Sequence, residues 1–141
     1  MSKDLSAVNF SAKSLGEHWP STLDELIAGW LEYWKDGQKD SAREPTWAFD
    51  AASDLPREAP NLALDFVLET LTKKPTAYQL RVLAAGPLED VISNHGSEII
   101  ERVEIEARRN PQFRYLLGGV WQNATPEDIW KRVLAVAPER W

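Results

Sequence analysis

The chain is predicted to be all-α, with seven or eight short helices in antiparallel pairs, arranged as an α-solenoid-like array or a compact orthogonal bundle. Three observations predict this. Apolar residues recur at steps of three and four along most of the length, no run alternates with the two-residue period of a half-buried strand, and proline or glycine repeatedly punctuates the pattern. No fixed repeat is visible in the residues themselves, which keeps the bundle beside the solenoid.

Residues 1–20 lack clear periodicity and read as a loosely ordered N-terminal arm, leaving 21–141 as one helical domain. Ser21 and Thr22 precede Asp24 and Glu25, a doubled capping-box signal for a helix start. Leu23, Leu26, Ile27, Trp30, Leu31 and Trp34 then form one apolar stripe that Gly37 ends. Polar residues 38–45 read as a loop, and Trp47 to Ser53 as a short helix stopped by Leu55-Pro56. From Pro60 to Thr72 only the narrow stripe Asn61, Asp65, Glu69 and Thr72 is polar, which marks a central helix.

Lys73-Lys74-Pro75 breaks that helix, and the next runs from Thr76 to Ala85. Gly86-Pro87 is expected to interrupt again, glycine as N-cap and proline at the first position of a short helix ending at His95-Gly96. Ser97 caps a helix to Arg109, with Ile99, Ile100, Val103 and Ala107 inward and the pairs Glu98–Arg102 and Glu104–Arg108 outward. Asn110-Pro111 restarts the pattern with Phe113, Leu116, Leu117 and Val120, and Thr125-Pro126 opens the last helix, closed by Ala137-Pro138.

Composition narrows the chemistry. The 141 residues carry a formal net charge of −6 and no cysteine, which removes disulfides, thiolate nucleophiles and cysteine-ligated metal centres. Phosphate-driven binding needs concentrated positive charge, so nucleic acid is not expected as a partner. The densest cations, Arg108, Arg109 and Arg114, suit a helix C-terminus. No stretch approaches the roughly 20 apolar residues of a membrane span, and the first ten residues have no apolar run, so a cytoplasmic location is expected.

Several residues invite a functional reading. His95 with Glu98 is a fragment of a metal motif, but no third ligand accompanies it, and neither a metal nor another cofactor is expected. Ser93 and Ser97 flank His95 without a nucleophile-elbow motif. Glu89 and Asp90 are adjacent acids, which point about 100° apart on a helix and suit a positive helix end better than a catalytic dyad.

Of seven tryptophans, Trp30, Trp34 and Trp130 lie on apolar stripes, and Trp121 is expected to seal the core edge. Trp19, Trp47 and Trp141 fall outside strong periodic runs; with Tyr33 they are candidates for an exposed aromatic patch. Outward acids Glu101 and Glu104, with Glu89 and Asp90, complete the candidate interaction residues.

The run Leu83-Ala84-Ala85-Gly86-Pro87-Leu88-Glu89-Asp90, then His95-Gly96, Asn110-Pro111-Gln112-Phe113 and Val120-Trp121, with Ile27-Ala28-Gly29-Trp30-Leu31-Glu32-Tyr33-Trp34 upstream, resembles a family of small bacterial helical domains of unknown function. The likeness spans about Leu23 to Trp121 and implies a helical protein, without catalytic residues or a ligand to carry over.

The function expected from these features is an acidic helical module that binds another protein, with an immunity or inhibitor protein for a basic, nuclease-like partner as one specific form. The alternative is a small hydrolase with a pocket near His95, Glu89 and Asp90.

Overall fold

In the computed structural model the described residues are 2–11 and 18–141. Helix α1 (Leu23–Tyr33) starts at the predicted cap, where the Thr22 hydroxyl accepts the Glu25 N–H at 3.2 Å. It ends before Gly37, which takes the left-handed turn (φ +80°) that starts the loop. Helices α2 (Thr46–Glu58) and α3 (Pro60–Thr72) meet at Ala59. The α2 boundary differs from the break predicted at Leu55-Pro56: Pro56 lies inside the helix. Burial of Ala51, Ala52, Leu55 and Pro56 in the core carries the helix past a residue that cannot donate.

Helix α4 (Ala77–Leu83) opens with a full capping box between Thr76 and Gln79. Where Gly86-Pro87 predicts a new start, the chain instead widens into one π-helical turn (Ala84–Leu88) and continues as α5 (Glu89–Arg109). The Glu89 N–H reaches back five residues to the Ala84 carbonyl, which makes room for a proline ring that would crowd an α-helical carbonyl. At His95 (φ −137°, ψ 32°) the backbone of α5 leaves helical geometry, a kink at the position where the sequence predicts a helix end. Helices α6 (Pro111–Leu117) and α7 (Glu127–Val136) follow. The chain from 77 to 109 therefore runs as one kinked helical stretch with His95 outside helical φ/ψ, and counted this way the described residues form six helices, not seven or eight.

The fold is all-α; among the described residues the only extended pairing is a single bridge between Asp4 and Thr22. Helix α5 sits at the centre and touches α2, α3, α6 and α7, and α1 reaches α3 as well as α2. Such cross-contacts define a bundle, because stacked repeats of a solenoid touch only their neighbours. Trp30 anchors the core at 1% exposure, edge-on to Phe66 with ring centroids 5.7 Å apart.

The arm is tied down where it is described. Leu5, Val8 and Phe10 are buried, and Leu5 N–H and Leu23 N–H bond the carbonyls of Ser21 and Lys3. Lys3 pairs with buried Asp65 at 2.7 Å, and Ser11 gives its N–H and hydroxyl to buried Asp54. The expectation of a loose arm missed these three apolar residues because they follow neither helical nor strand period. Its residues 12–17 lie outside the described residues.

Outward charge pairs also re-sort. Glu98 bonds His95, Arg102 joins Lys3 on Asp65, and Glu104 receives two bonds from Arg132 of α7. Tertiary partners displace the weak i,i+4 pairs predicted for α5. Burial pushes the Asp65 carboxyl up, but the bonds and charges of Lys3 and Arg102 outweigh it and hold it below its ordinary range.

Candidate functional site

The loop that leaves α1 is built on Arg43, a buried cation in a stretch that reads only as polar loop. Its guanidinium donates to the carbonyls of Tyr33 (2.8 Å), Lys35 (3.1 Å) and Gln38 (3.2 Å), to the Tyr78 hydroxyl (3.0 Å) and to Asp40 (3.3 Å). It also lies over the rings of Trp34 at 4.9 Å and Tyr78 at 5.3 Å. Loop carbonyls that water would otherwise serve are thereby satisfied from within, and the aromatic side chains around them are fixed.

Those aromatics form one cluster at the α1–α2 edge. Tyr33 stacks on Phe49 with centroids 5.3 Å apart, and Trp34 meets Tyr33 at 5.0 Å and Tyr78 at 6.2 Å. Phe49 is 41% exposed. It is absent from the residues that the sequence singles out, yet a signal exists: the inward positions of α2 are Ala48, Ala51, Ala52 and Leu55, and Phe49 falls off that stripe.

Behind this cluster runs a cleft of about 70 Å³ between α1, α2 and the π-helical turn, lined by Trp30, Trp34, Phe49, Gly86, Pro87 and Asp90 among others. Asp90 is half-buried, and its carboxylate accepts no hydrogen bond from the described residues. Burial, with the neighbouring Glu89 charge adding to it and Arg57 opposing, raises its pKa. Glu89 faces elsewhere: its two oxygens accept the Trp121 N–H (2.9 Å) and the Asn123 amide (3.3 Å). The adjacent acids thus diverge, one holding a loop and one facing a cleft.

His95 bridges two helices. Its Nδ1 lies 2.9 Å from Glu98 Oε1 and its Nε2 lies 2.8 Å from the Arg57 carbonyl at the end of α2. Both partners are acceptors, so only the doubly protonated ring satisfies both. The bond to Glu98, opposed by partial burial and aided by the Arg57 carbonyl and the Glu98 and Glu58 charges, raises the His95 pKa accordingly. A ring held this way offers no lone pair to a substrate, and no hydrogen bond joins any two of His95, Glu89 and Asp90.

Stability linked to a raised histidine pKa is complete below the ordinary value of 6.5 and is lost as pH rises through the folded value. His95→Ala should cost about 1 kcal/mol near pH 6 and measurably less near pH 8.5. Denaturant titrations at the two pH values check it; a cost that grows with pH contradicts the assignment.

The remaining predicted residues do not gather in one place. Trp19 stacks on Phe10 at 5.0 Å, with its indole nitrogen buried and unbonded among the described residues. Trp47 lies across Gly29 of α1, where a Cβ would stand 2.6 Å from its ring, and meets His18 edge-on. Glu101 is exposed, whereas Glu104 is drawn inward by Arg132. Trp121, expected at the core edge, is 76% exposed, because α6 ends at Leu117 and its periodicity does not reach 121. Trp34 and Trp130 are half-buried at the bundle edge. Trp141 is 44% exposed and stacks on Tyr115. A separate groove gathers Arg108, Arg114, Lys131 and Arg132, of which Arg132 is spent on Glu104 and Arg114 on the Ala107 carbonyl. Among the described residues no group of three or more His, Asp or Glu is placed to hold a metal ion, and no helix is long and apolar enough to cross a membrane.

The model of a family of unknown function (DUF6869) matches residues 35–140. The chain belongs to this family. The match begins later than the Leu23 suggested by the sequence pattern and runs past Trp121 through α7, so it takes in Phe49, the π-helical turn and Asp90 but leaves α1 outside. No curated protein and no solved structure matches the chain.

Proposed function

We propose that this protein is a binding module for a basic protein and that the α1–α2 edge is its contact face. The observation that carries this reading is the stacked Tyr33–Phe49 pair, partly open to solvent and surrounded in sequence by Glu32, Glu44 and Asp50. An aromatic centre inside a charged rim is the usual anatomy of a binding hot spot. Charge distribution supports it: residues 18–72 hold eleven acids against four cations, whereas 102–141 hold five acids against seven cations. The net −6 is therefore carried by the N-terminal half of the sequence, the half that also holds the aromatic pair. Acids so placed steer a basic partner into contact, as an inhibitor or immunity protein for a basic nuclease-like enzyme requires.

The test is affinity capture from the native host, followed by association kinetics with the captured partner. Joint replacement Glu32→Lys, Glu44→Lys and Asp50→Lys should slow association at least about tenfold at low salt, and the deficit should shrink as salt screens the charges. Only the exposed Glu32–Lys35 pair is lost among the interactions of these three acids, so the fold should survive. An association rate indifferent to the reversal, with a hydrolytic activity abolished by His95→Ala, would replace the binding reading by the enzymatic one.

A further inference from the structure

The cleft behind the aromatic cluster has features that neither packing nor backbone geometry explains. Gly86 is one. It sits inside continuous helix with an ordinary negative φ, where glycine is less favourable than alanine, and a Cβ there would meet no atom within 4 Å. Nothing in the fold demands its bareness, and the space it leaves adjoins the cleft it lines. Asp90 is the second: a half-buried carboxylate on the same cleft that accepts no hydrogen bond from the described residues. The π-helical turn, widened at Pro87, brings Gly86 to the same opening. The walls facing them are the rings of Trp30, Trp34 and Phe49.

Aromatic faces carry negative potential and attract cations, and a carboxylate without a partner completes the charge balance. An anion would meet repulsion from Asp90, and a purely apolar group would leave that carboxylate both buried and unpaired. Arg57, the cation nearest in electrostatic effect, is bonded to Asp54, and Arg43, which covers the Trp34 ring at 4.9 Å, is held by the loop carbonyls of Tyr33, Lys35 and Gln38; neither bonds Asp90.

We infer that this cleft is an organic-ammonium site, receiving a lysine side chain of the basic partner alongside the Trp34 and Phe49 rings, themselves in contact at 6.1 Å, with its ammonium at the Asp90 carboxylate. The volume of about 70 Å³ suits an ammonium group with its adjoining methylenes. This inference rests on the binding reading above and names the residue that the partner inserts.

The cleft can be probed without the partner. Titration of the isotope-labelled protein with n-butylammonium chloride, with sodium chloride and n-butanol as controls, should give saturable shifts at the Trp30 and Trp34 indole and Gly86 and Asp90 amide resonances with the ammonium alone. Asp90→Asn should weaken the site at least about tenfold while leaving the fold intact. Gly86→Ala is the sharper variant: it should raise the melting temperature, as alanine does inside a helix, and still weaken binding. Shifts equal to those with sodium chloride, or a Gly86→Ala protein that is stabilised and binds n-butylammonium as well as before, would overturn the inference. Tetramethylammonium distinguishes sources, because a site that prefers it to n-butylammonium takes a free quaternary amine and not a lysine. Failure here with the charge-reversal result intact rejects the ammonium site alone; a saturable site with association unaffected by charge reversal rejects the contact face alone.

Discussion

Trp30→Ala is expected to cost roughly 3–5 kcal/mol, the range for truncating a fully buried large aromatic. Trp30 stands mid-stripe on α1 at 1% exposure and meets Phe66 of α3 edge-on, so truncation opens a cavity where the first and third helices join. Neighbours cannot collapse into it cheaply: Leu26, Ile27, Phe66 and Val67 are already buried. Chemical denaturation followed by circular dichroism measures the loss. A cost below about 1 kcal/mol would remove Trp30 from the core and with it the packing that positions the cleft wall.

Arg43→Lys should have the next largest effect, about 2–4 kcal/mol, even though it keeps the positive charge. A lysine has a single nitrogen and cannot serve the Tyr33, Lys35 and Gln38 carbonyls together while stacking on Trp34 and Tyr78. At least one buried carbonyl then loses its donor, at about 1–3 kcal/mol for each. Beyond the stability loss, the Tyr33, Trp34 and Phe49 rings should lose their fixed positions, which aromatic side-chain NMR line widths or near-ultraviolet circular dichroism report. A lysine variant as stable as the native protein, with unchanged aromatic signals, would show that the loop holds itself.

Helix existence was largely legible because apolar spacing and caps are local. Thr22 caps as its position suggests, and the stripes of α1, α5 and α7 face inward. Helix junctions were less so. Whether Gly86-Pro87 breaks a helix or widens it depends on the burial of Pro87 and Leu88 against the rest of the bundle, which no local rule contains. Proline at position 56 shows the same override of propensity by packing.

The site divides likewise. Tyr33 and Asp90 stand out in the sequence, but what each faces is long-range. Phe49 reaches Tyr33 across fifteen intervening positions of loop and helix, and the Asp90 environment is set by α1 and α2 side chains far upstream. Arg43 carried no signal at all, since a buried arginine and a solvated one look the same in a polar stretch. Trp121 misled because the period of α6 was extended past the end of the helix.

The contact face itself is tested most directly by site-specific photo-crosslinking in the native host. A photoreactive phenylalanine placed at position 33 should yield a covalent adduct with a basic protein, and the same group at exposed position 105 on α5 should not. The adduct at position 33 should fall at least about tenfold when Glu32, Glu44 and Asp50 are reversed to lysine. Equal adducts from both positions, or an adduct at position 33 that survives the charge reversal, would contradict an acidic α1–α2 face that binds a basic partner.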